Sequence, residues 1–315
     1  MYFLGVDGGG TKTAAILTDL TGSVVRRTRS GSGNVAMLDR GSVAQLVKGL
    51  LDDLLQGEPA GRITYATLGF AGGGGERPRS VVSNLLNRNG VKNFSVLTDA
   101  MNLYLAAFNK GQGILLSAGT GSTCLTKDAD NTFHKIGGCG YLLSDEGSGY
   151  DIGNKAIRRF ITDASSGKKR SSLAENVLQF YGMADEQELI SEIYASLRPH
   201  WLIASCAKTI CDAADAGDKE ANTHVAQAAR DLLQMVETAR KRINCTTSSK
   251  LTLTGSILSQ NSVVRKEFDA LLAAVPWQSE IVKLQSDPEV AALFQAIRTA
   301  GHEISAELFK KTRTA

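Results

Sequence analysis

The stretch Gly5-Val6-Asp7-Gly8-Gly9-Gly10-Thr11-Lys12-Thr13 places a carboxylate and a run of glycines between two short apolar segments, Tyr2 to Val6 and Ala14 to Thr18. Both segments read as strands, so the glycines join strand to strand and do not open a helix. A P-loop needs its last glycine directly before the lysine and a helix after it, whereas Thr11 separates Gly10 from Lys12. A dinucleotide fingerprint leaves a strand and opens a helix. Its one match, Gly31-Ser32-Gly33-Asn34-Val35-Ala36, stands several residues before the evident helix start near Ser42 and reads as coincidence. Taken alone, the opening motif is equally a ligand-free hairpin turn.

Beyond Thr18 the chain extends this plan and then repeats it. Ser23 to Arg29 adds a third strand after a turn at Leu20-Thr21-Gly22, and strands this close in sequence must pair antiparallel. Val43, Leu46, Val47, Leu50, Leu51, Leu54 and Leu55 recur at helical spacing. Strands Ile63 to Phe70 and Phe94 to Leu97 then alternate with helices near Pro78 to Asn89 and Ala100 to Asn109. At Gly113 the grammar restarts: Ile114 to Ser117 lead into Ala118-Gly119-Thr120-Gly121-Ser122-Thr123, then Cys124 to Thr126, a turn at Asp128-Ala129-Asp130-Asn131, and Thr132 to Ile136. After a largely helical stretch, roughly Tyr150 to Cys245, alternation returns with strand Leu251 to Thr254, helix Ser262 to Ala274, strand Ile281 to Leu284 and helix Pro288 to Thr299. Two halves of one plan predict an α/β protein of two similar lobes facing a cleft. Two glycine turns at matching places, each offering backbone N–H groups and a threonine hydroxyl, predict a clamp on a polyphosphate.

Composition narrows the partners. A length of 315 residues accommodates two domains. Lys+Arg 35 against Asp+Glu 32 gives +3, with the basic residues scattered, so no nucleic-acid partner is expected. The five cysteines, Cys124, Cys139, Cys206, Cys211 and Cys245, form no C-x-x-C pair, which fits a reducing cytoplasm. The chain enters a strand at once, without a basic and apolar leader, and no run approaches the length of a membrane span. A soluble cytoplasmic protein with no membrane partner is the expectation. The four histidines, His134, His200, His224 and His302, have no metal-ligand spacing.

Taken in order, these motifs resemble the actin/Hsp70/sugar-kinase superfamily, and within it the N-acetylglucosamine kinases and the BadF/BadG/BcrA/BcrD ATPase family. The resemblance spans nearly the whole chain. It is carried by Gly5 to Thr13, Leu97-Thr98-Asp99-Ala100, Ser117 to Thr123, the loop Gly137 to Gly149, Leu253-Thr254-Gly255-Ser256 and Ser286-Asp287-Pro288-Glu289. It implies two duplicated actin-like (ribonuclease H-like) lobes around a central cleft. Residues 1–110 would form the first lobe, with a closing helix Glu303 to Lys311 packed back on it. Residues 111–302 would form the second, with a helical insertion at about 150–245.

The implied activity is ATP-dependent transfer of the γ-phosphoryl group to a hydroxyl, at C6, of an amino sugar, N-acetylglucosamine or glucosamine. Such catalysis rests on positioning and charge neutralisation. The resemblance makes Asp7 the holder of hydrated Mg²⁺, with a turn-capping aspartate as the alternative. It assigns phosphate contacts to Gly9, Gly10, Thr11, Lys12, Thr120, Gly121 and Ser122, although Lys12 could equally be a solvated side chain. Gly255 and Ser256 would approach adenine or ribose; a ligand-free tight turn is the alternative. Asp99 would be the general base that accepts the sugar hydroxyl proton, or else an N-cap of the following helix. Sugar contacts are expected from Asn34, Gly72, Asp99, Gly138, Cys139 and Asp145, with Glu146 and Asp151 as weaker candidates. A homodimer is implied as well.

Two residues depart from the kinase pattern. Cys139 stands where a tryptophan usually follows Gly-Gly, and Thr123 where mammalian-type enzymes carry asparagine. Both lie near the expected sugar pocket, which brings glucosamine and N-acetylmuramic acid into contention. A rival of another class is the ATPase activator of 2-hydroxyacyl-CoA dehydratases, which shares an iron–sulfur cluster between subunits and needs cysteines near a helix end. Here Cys206 and Cys211 fall within the long helical stretch.

Overall fold

The computed structural model describes residues 1–245, 248–260, 262–304, 308 and 312. The chain divides into two units, Met1–Gly111 with Lys283–Ala315, and Gln112–Val282.

In the first unit, β1 (Tyr2–Gly8), β2 (Thr13–Asp19), β3 (Val24–Ser30), β4 (Ile63–Phe70) and β5 (Phe94–Leu97) form one sheet in the order β3-β2-β1-β4-β5. β1 pairs antiparallel with β2 and β2 with β3, whereas β4 runs parallel to β1 and β5 parallel to β4. Alternating residues of β1 serve opposite faces. Leu4 and Val6 join the apolar face of α1 (Arg40–Leu55), where Val43, Leu46, Val47, Leu50, Leu51, Leu54 and Leu55 are all buried. The same face packs Val82 and Leu86 of α2 (Glu76–Arg88). Asp39 caps α1 by accepting from Gly41 N and Ser42 N, so the helix opens at Arg40, ahead of the expected start. α3 (Asp99–Phe108) follows β5.

The second unit repeats the arrangement. β6 (Ile114–Ala118), β7 (Ser122–Lys127), β8 (Phe133–Gly137), β9 (Ser249–Thr254) and β10 (Ser279–Ile281) form a sheet in the order β10-β9-β6-β7-β8. The first three pair antiparallel, and β9 and β10 add in parallel. The strand order and the sense of every pairing match the first sheet, which establishes the duplicated, actin-like α/β plan. Between β8 and β9 lie α4 (Gly149–Ser165), α5 (Ser172–Tyr181), α6 (Glu186–Ala195), α7 (Pro199–Ser205), α8 (Ala207–Asp215) and α9 (Lys219–Arg242). α10 (Val263–Ala274) sits between β9 and β10. The helices and the sheet share one core that includes Ile114, Leu116, Ile152, Phe160, Ile210, Leu232 and Phe268.

Two placements differ from the sequence reading: β10 covers Ser279–Ile281, ahead of the strand expected at Ile281 to Leu284, and the last helix changes unit. α11 (Pro288–Thr299) belongs with the first unit, not with the second lobe. Its Val290, Leu293, Phe294 and Ile297 bury Phe3 and Ile16 on the face of the first sheet opposite α1. The approach is close: a Cβ on Gly5 would lie 2.2 Å from Glu289 O and 2.4 Å from Leu293 N. The expected closing helix Glu303 to Lys311 falls mostly outside the described residues; Leu308, which is described, packs in this same cluster. Among the described residues no helix is long and apolar enough to cross a membrane.

Candidate active site

In the first unit the parallel strands β1, β4 and β5 end side by side, and at their ends stand Asp7, the first glycine turn, Gly72 and Asp99. Gly9 N donates to Lys12 O at 2.8 Å and closes the first glycine turn. Gly33 N donates to Gly9 O at 2.9 Å, and Ala71 N donates to Gly8 O at 2.7 Å. Val35 N donates to Ala71 O at 3.0 Å. The loop bearing Asn34 and the loop bearing Gly72 are thereby stitched to the glycine turn. Asn34 Oδ1 is buried without a hydrogen-bond partner among the described residues, and a Cβ on Gly72 would stand 2.8 Å from it.

Asp7 sits at the end of β1 and Asp99 at the start of α3. Thr98 performs the cap, its hydroxyl accepting from Met101 N at 3.2 Å, and Asp99 Oδ1 accepts from Ala100 N at 2.9 Å. The helix cap is therefore Thr98, which corrects the N-cap alternative for Asp99. Burial pushes the Asp7 carboxyl up to about 7, and the neighbouring charges of Asp99 and Glu289 push the same way, against a hydrogen bond from Asn102 and the charge of Lys12. Three carboxylates therefore act on one another around the end of β1. Glu289, in the first turn of α11, is also raised, chiefly by burial, and lies 3.6 Å from Arg27.

Asn102 was missed in the sequence. It is fully buried, and its amide donates to Val6 O and to Asp7 Oδ1, both at 2.9 Å. The spacing Asp99-x-x-Asn102 puts both residues on one face of α3, and this was the available signal. Gly69 on β4 makes room: a Cβ there would lie 2.2 Å from the Asn102 amide nitrogen. Gly69→Ala is expected to displace Asn102 and lower stability by about 2 kcal/mol. Melting curves check this, and an unchanged melting temperature would show that Asn102 can move at no cost.

In the second unit Gly119 N donates to Gly121 O at 2.9 Å, and the N-terminus of α4 holds the turn: Gly149 N donates to Gly119 O at 2.8 Å and Tyr150 N to Thr120 O at 3.1 Å. Ser122 departs from its expected role. It is buried, its hydroxyl donates to Glu146 O at 2.6 Å and its amide to Asp145 Oδ1 at 3.3 Å, so both donors order the turn and neither is left for phosphate. Asp145 is buried beneath the turn, where a Cβ on Gly121 would lie 2.8 Å from Asp145 Oδ2, and burial raises its carboxyl. Thr120 remains exposed.

Gly119, Thr120 and Ser256 line one cavity of about 600 Å³ with Trp201, Lys208, Cys211, Asp212, Ser259 and Ser262. The second glycine turn and Ser256, the residue expected at adenosine, thus line one pocket, and Trp201 gives it an aromatic wall that sequence reasoning did not assign. Gly255, with φ of 94°, answers to a backbone need: a Cβ would come within 2.2 Å of Ala118 O. Gly138 and Cys139 lie on the loop before α4; Cys139 is exposed, and Thr123 Oγ1 is buried beside Gly138 without a hydrogen-bond partner among the described residues.

Comparison with known families is decisive for this geometry, since one family model matches residues 4–296. The chain belongs to the BadF/BadG/BcrA/BcrD ATPase family. Among the relatives of this family member, an N-acetylmuramic acid/N-acetylglucosamine kinase of Clostridium acetobutylicum is 26% identical over 303 residues, covering 94% of this chain and 98% of the relative. An N-acetyl-D-glucosamine kinase of Dictyostelium discoideum is 25% identical over 318 residues, covering 94% and 98%. A candidate N-acetylglucosamine kinase from Chromobacterium violaceum shares the fold with a TM-score of 0.76 at 24% identity, covering 93% of this chain and 98% of that one.

The residues at Asp7 in this BadF/BadG/BcrA/BcrD protein fit a divalent cation. Among the described residues no three His, Cys, Asp or Glu side chains cluster to hold a metal, so Asp7 would offer one carboxylate ligand, as suits Mg²⁺ that keeps water and phosphate oxygens for its other positions. Asn102 engages Oδ1 of Asp7 and fixes the side chain.

Proposed function

We propose that the chain is an ATP-dependent amino-sugar kinase that phosphorylates N-acetylglucosamine or glucosamine at the C6 hydroxyl. The observation that carries this reading is the pairing of Asp7 with Asp99 through α3, where Asn102 holds Asp7 one turn from Asp99. In the proposed reaction Asp99 accepts the proton of the sugar hydroxyl as its oxygen bonds the γ-phosphorus. The bond from that phosphorus to the bridging oxygen breaks, and ADP leaves. Bound at Asp7, Mg²⁺ would neutralise charge on the phosphate oxygens. Gly9, Gly10, Thr11, Lys12, Thr120 and Gly121 supply phosphate donors, and the cavity beside Ser256 and Trp201 takes the nucleoside. The buried, unpartnered Asn34 Oδ1 supports a sugar role, because a sugar hydroxyl would satisfy it. Gly72, Gly138, Cys139 and Asp145 complete the proposed sugar contacts, in a cytoplasmic homodimer.

N-acetylmuramic acid is the second reading, favoured by the small, exposed Cys139, which leaves room for a lactyl ether. A coupled ADP-release screen over glucosamine, N-acetylglucosamine, N-acetylmuramic acid, N-acetylmannosamine and glucose separates these outcomes. Sugar-independent ATP hydrolysis by protein that carries iron would favour the activator class instead. For the nucleoside, Trp201→Ala is expected to weaken binding of a nonhydrolysable ATP analogue about tenfold. Calorimetry measures it, and a change below about twofold would remove Trp201 from the nucleotide site.

A further inference from the structure

Behind the loop from Gly137 to Gly147 runs a chain of charges that touches none of the residues assigned above to nucleotide or phosphate. Asp151, in the first turn of α4, accepts from Gly147 N at 2.9 Å and from Lys155 Nζ at 2.7 Å, both on Oδ2. Lys155 Nζ also reaches Asp231 Oδ2 on α9 at 3.0 Å, and Gln227 Nε2 donates to Asp231 Oδ1 at 2.8 Å. Asp151 and Asp231 side chains are only 16% and 17% exposed. One ammonium therefore bridges two largely buried carboxylates from different helices, an arrangement that resists solvent screening better than an isolated surface pair.

Gly147 is pressed onto the same face of α9. Its φ is 72°, and a Cβ there would lie 2.6 Å from Leu232 Cγ and 2.7 Å from Ala228 O. Ala228, Asp231 and Leu232 fall at helical spacing on one face. Glycine allows the contact, and the Lys155 bridge ties the loop end to the helix it touches. Asp151, a weaker sugar candidate in the sequence, is thus engaged in holding the loop.

We propose that Lys155 and Asp231 are positioning residues for the amino-sugar site, acting through Asp151 to hold the loop that carries Gly138, Cys139 and Asp145. The proposal rests on the kinase reading. It weights sugar over nucleotide: the second glycine turn is held by this loop only at Ser122, through Glu146 O and Asp145 Oδ1, and has further anchors on α4 through Gly149 N and Tyr150 N. Loosening Gly147 leaves the two α4 bonds in place.

Steady-state kinetics on the full chain test it. Lys155→Met and Asp231→Ala are each expected to raise the sugar KM about five- to twentyfold and the ATP KM by a clearly smaller factor. The double variant should be no worse than the worse single one, as expected of coupled residues. Asp231→Asn, which keeps an acceptor for Lys155, should recover most of the loss. Hydrogen exchange, which needs no substrate, should be faster in Asp231→Ala across residues 138–147 and unchanged across 149–150, whose amides hold Gly119 O and Thr120 O. A wild-type protein that phosphorylates no sugar overturns the kinase reading. Equal loop exchange in wild type and Asp231→Ala, an unchanged sugar KM in folded variants, or an equal rise in the ATP KM overturns the brace. If Asp231→Ala fails to fold, Lys155→Met and Asp231→Asn carry the same comparison.

Discussion

Asp99→Asn is expected to lower kcat about 10²- to 10⁴-fold, the range that a positioned general base contributes. Little else should change. Thr98 provides the cap of α3, so removing the charge of Asp99 leaves the helix start intact. Substitution also removes a neighbour that disfavours ionised Asp7. The expected pattern is loss of kcat with the melting temperature and nucleotide affinity close to wild type, read by kinetics, thermal denaturation and calorimetry on the same samples. Turnover within tenfold of wild type would take the base role away from Asp99.

Asp7→Asn should separate function from stability. Its carboxyl is raised from an ordinary value of 3.8 to about 7, chiefly by burial. A carboxyl raised in the folded state contributes stability that is complete below the unfolded value and is lost as pH rises through the folded one. Without Mg²⁺, the wild type should therefore lose stability between about pH 4 and pH 8, and Asp7→Asn should lose much less. At pH 8 the variant is expected to be more stable by on the order of 2 kcal/mol, which is a rise of several degrees in melting temperature. Activity should fall at least about a hundredfold. Added Mg²⁺ should raise the melting temperature of the wild type at pH 8 and not that of Asp7→Asn. A destabilised variant at pH 8 would contradict the burial argument, and an equal response to Mg²⁺ in both proteins would move the cation elsewhere.

Much of the fold was legible because the informative residues act locally. Strand-turn-strand spacing forced the antiparallel triplets, and the alternation after Val43 fixed the helix-strand order with α1 buried through the expected seven residues. The placement of α11 was not legible. Whether a terminal helix covers the first or the second of two equivalent sheets depends on surfaces far apart in sequence, here Phe3 and Ile16 against Leu293 and Phe294. Gly5 was the local hint, since a missing side chain in a buried strand often marks a close approach.

Site residues divide the same way. Asp7 and Asp99 stood out because strand ends and helix starts are recognisable, whereas Asn102 looks like any polar residue in a helix until its amide is seen on Asp7. Ser122 was misread because a hydroxyl in a glycine turn suits phosphate, and only the fold shows Glu146 O taking that donor. Trp201 lies 81 residues beyond Thr120, so nothing in the sequence joined them in one cavity.

The central claim is that phosphoryl transfer ends on an amino-sugar hydroxyl. Phosphorus-31 NMR of the protein with ATP, Mg²⁺ and N-acetylglucosamine or glucosamine observes this directly. The expected result is a phosphate monoester coupled to the C6 protons, growing in step with ADP and absent with Asp99→Asn. ADP accompanied only by inorganic phosphate, at a rate indifferent to sugar, would contradict it.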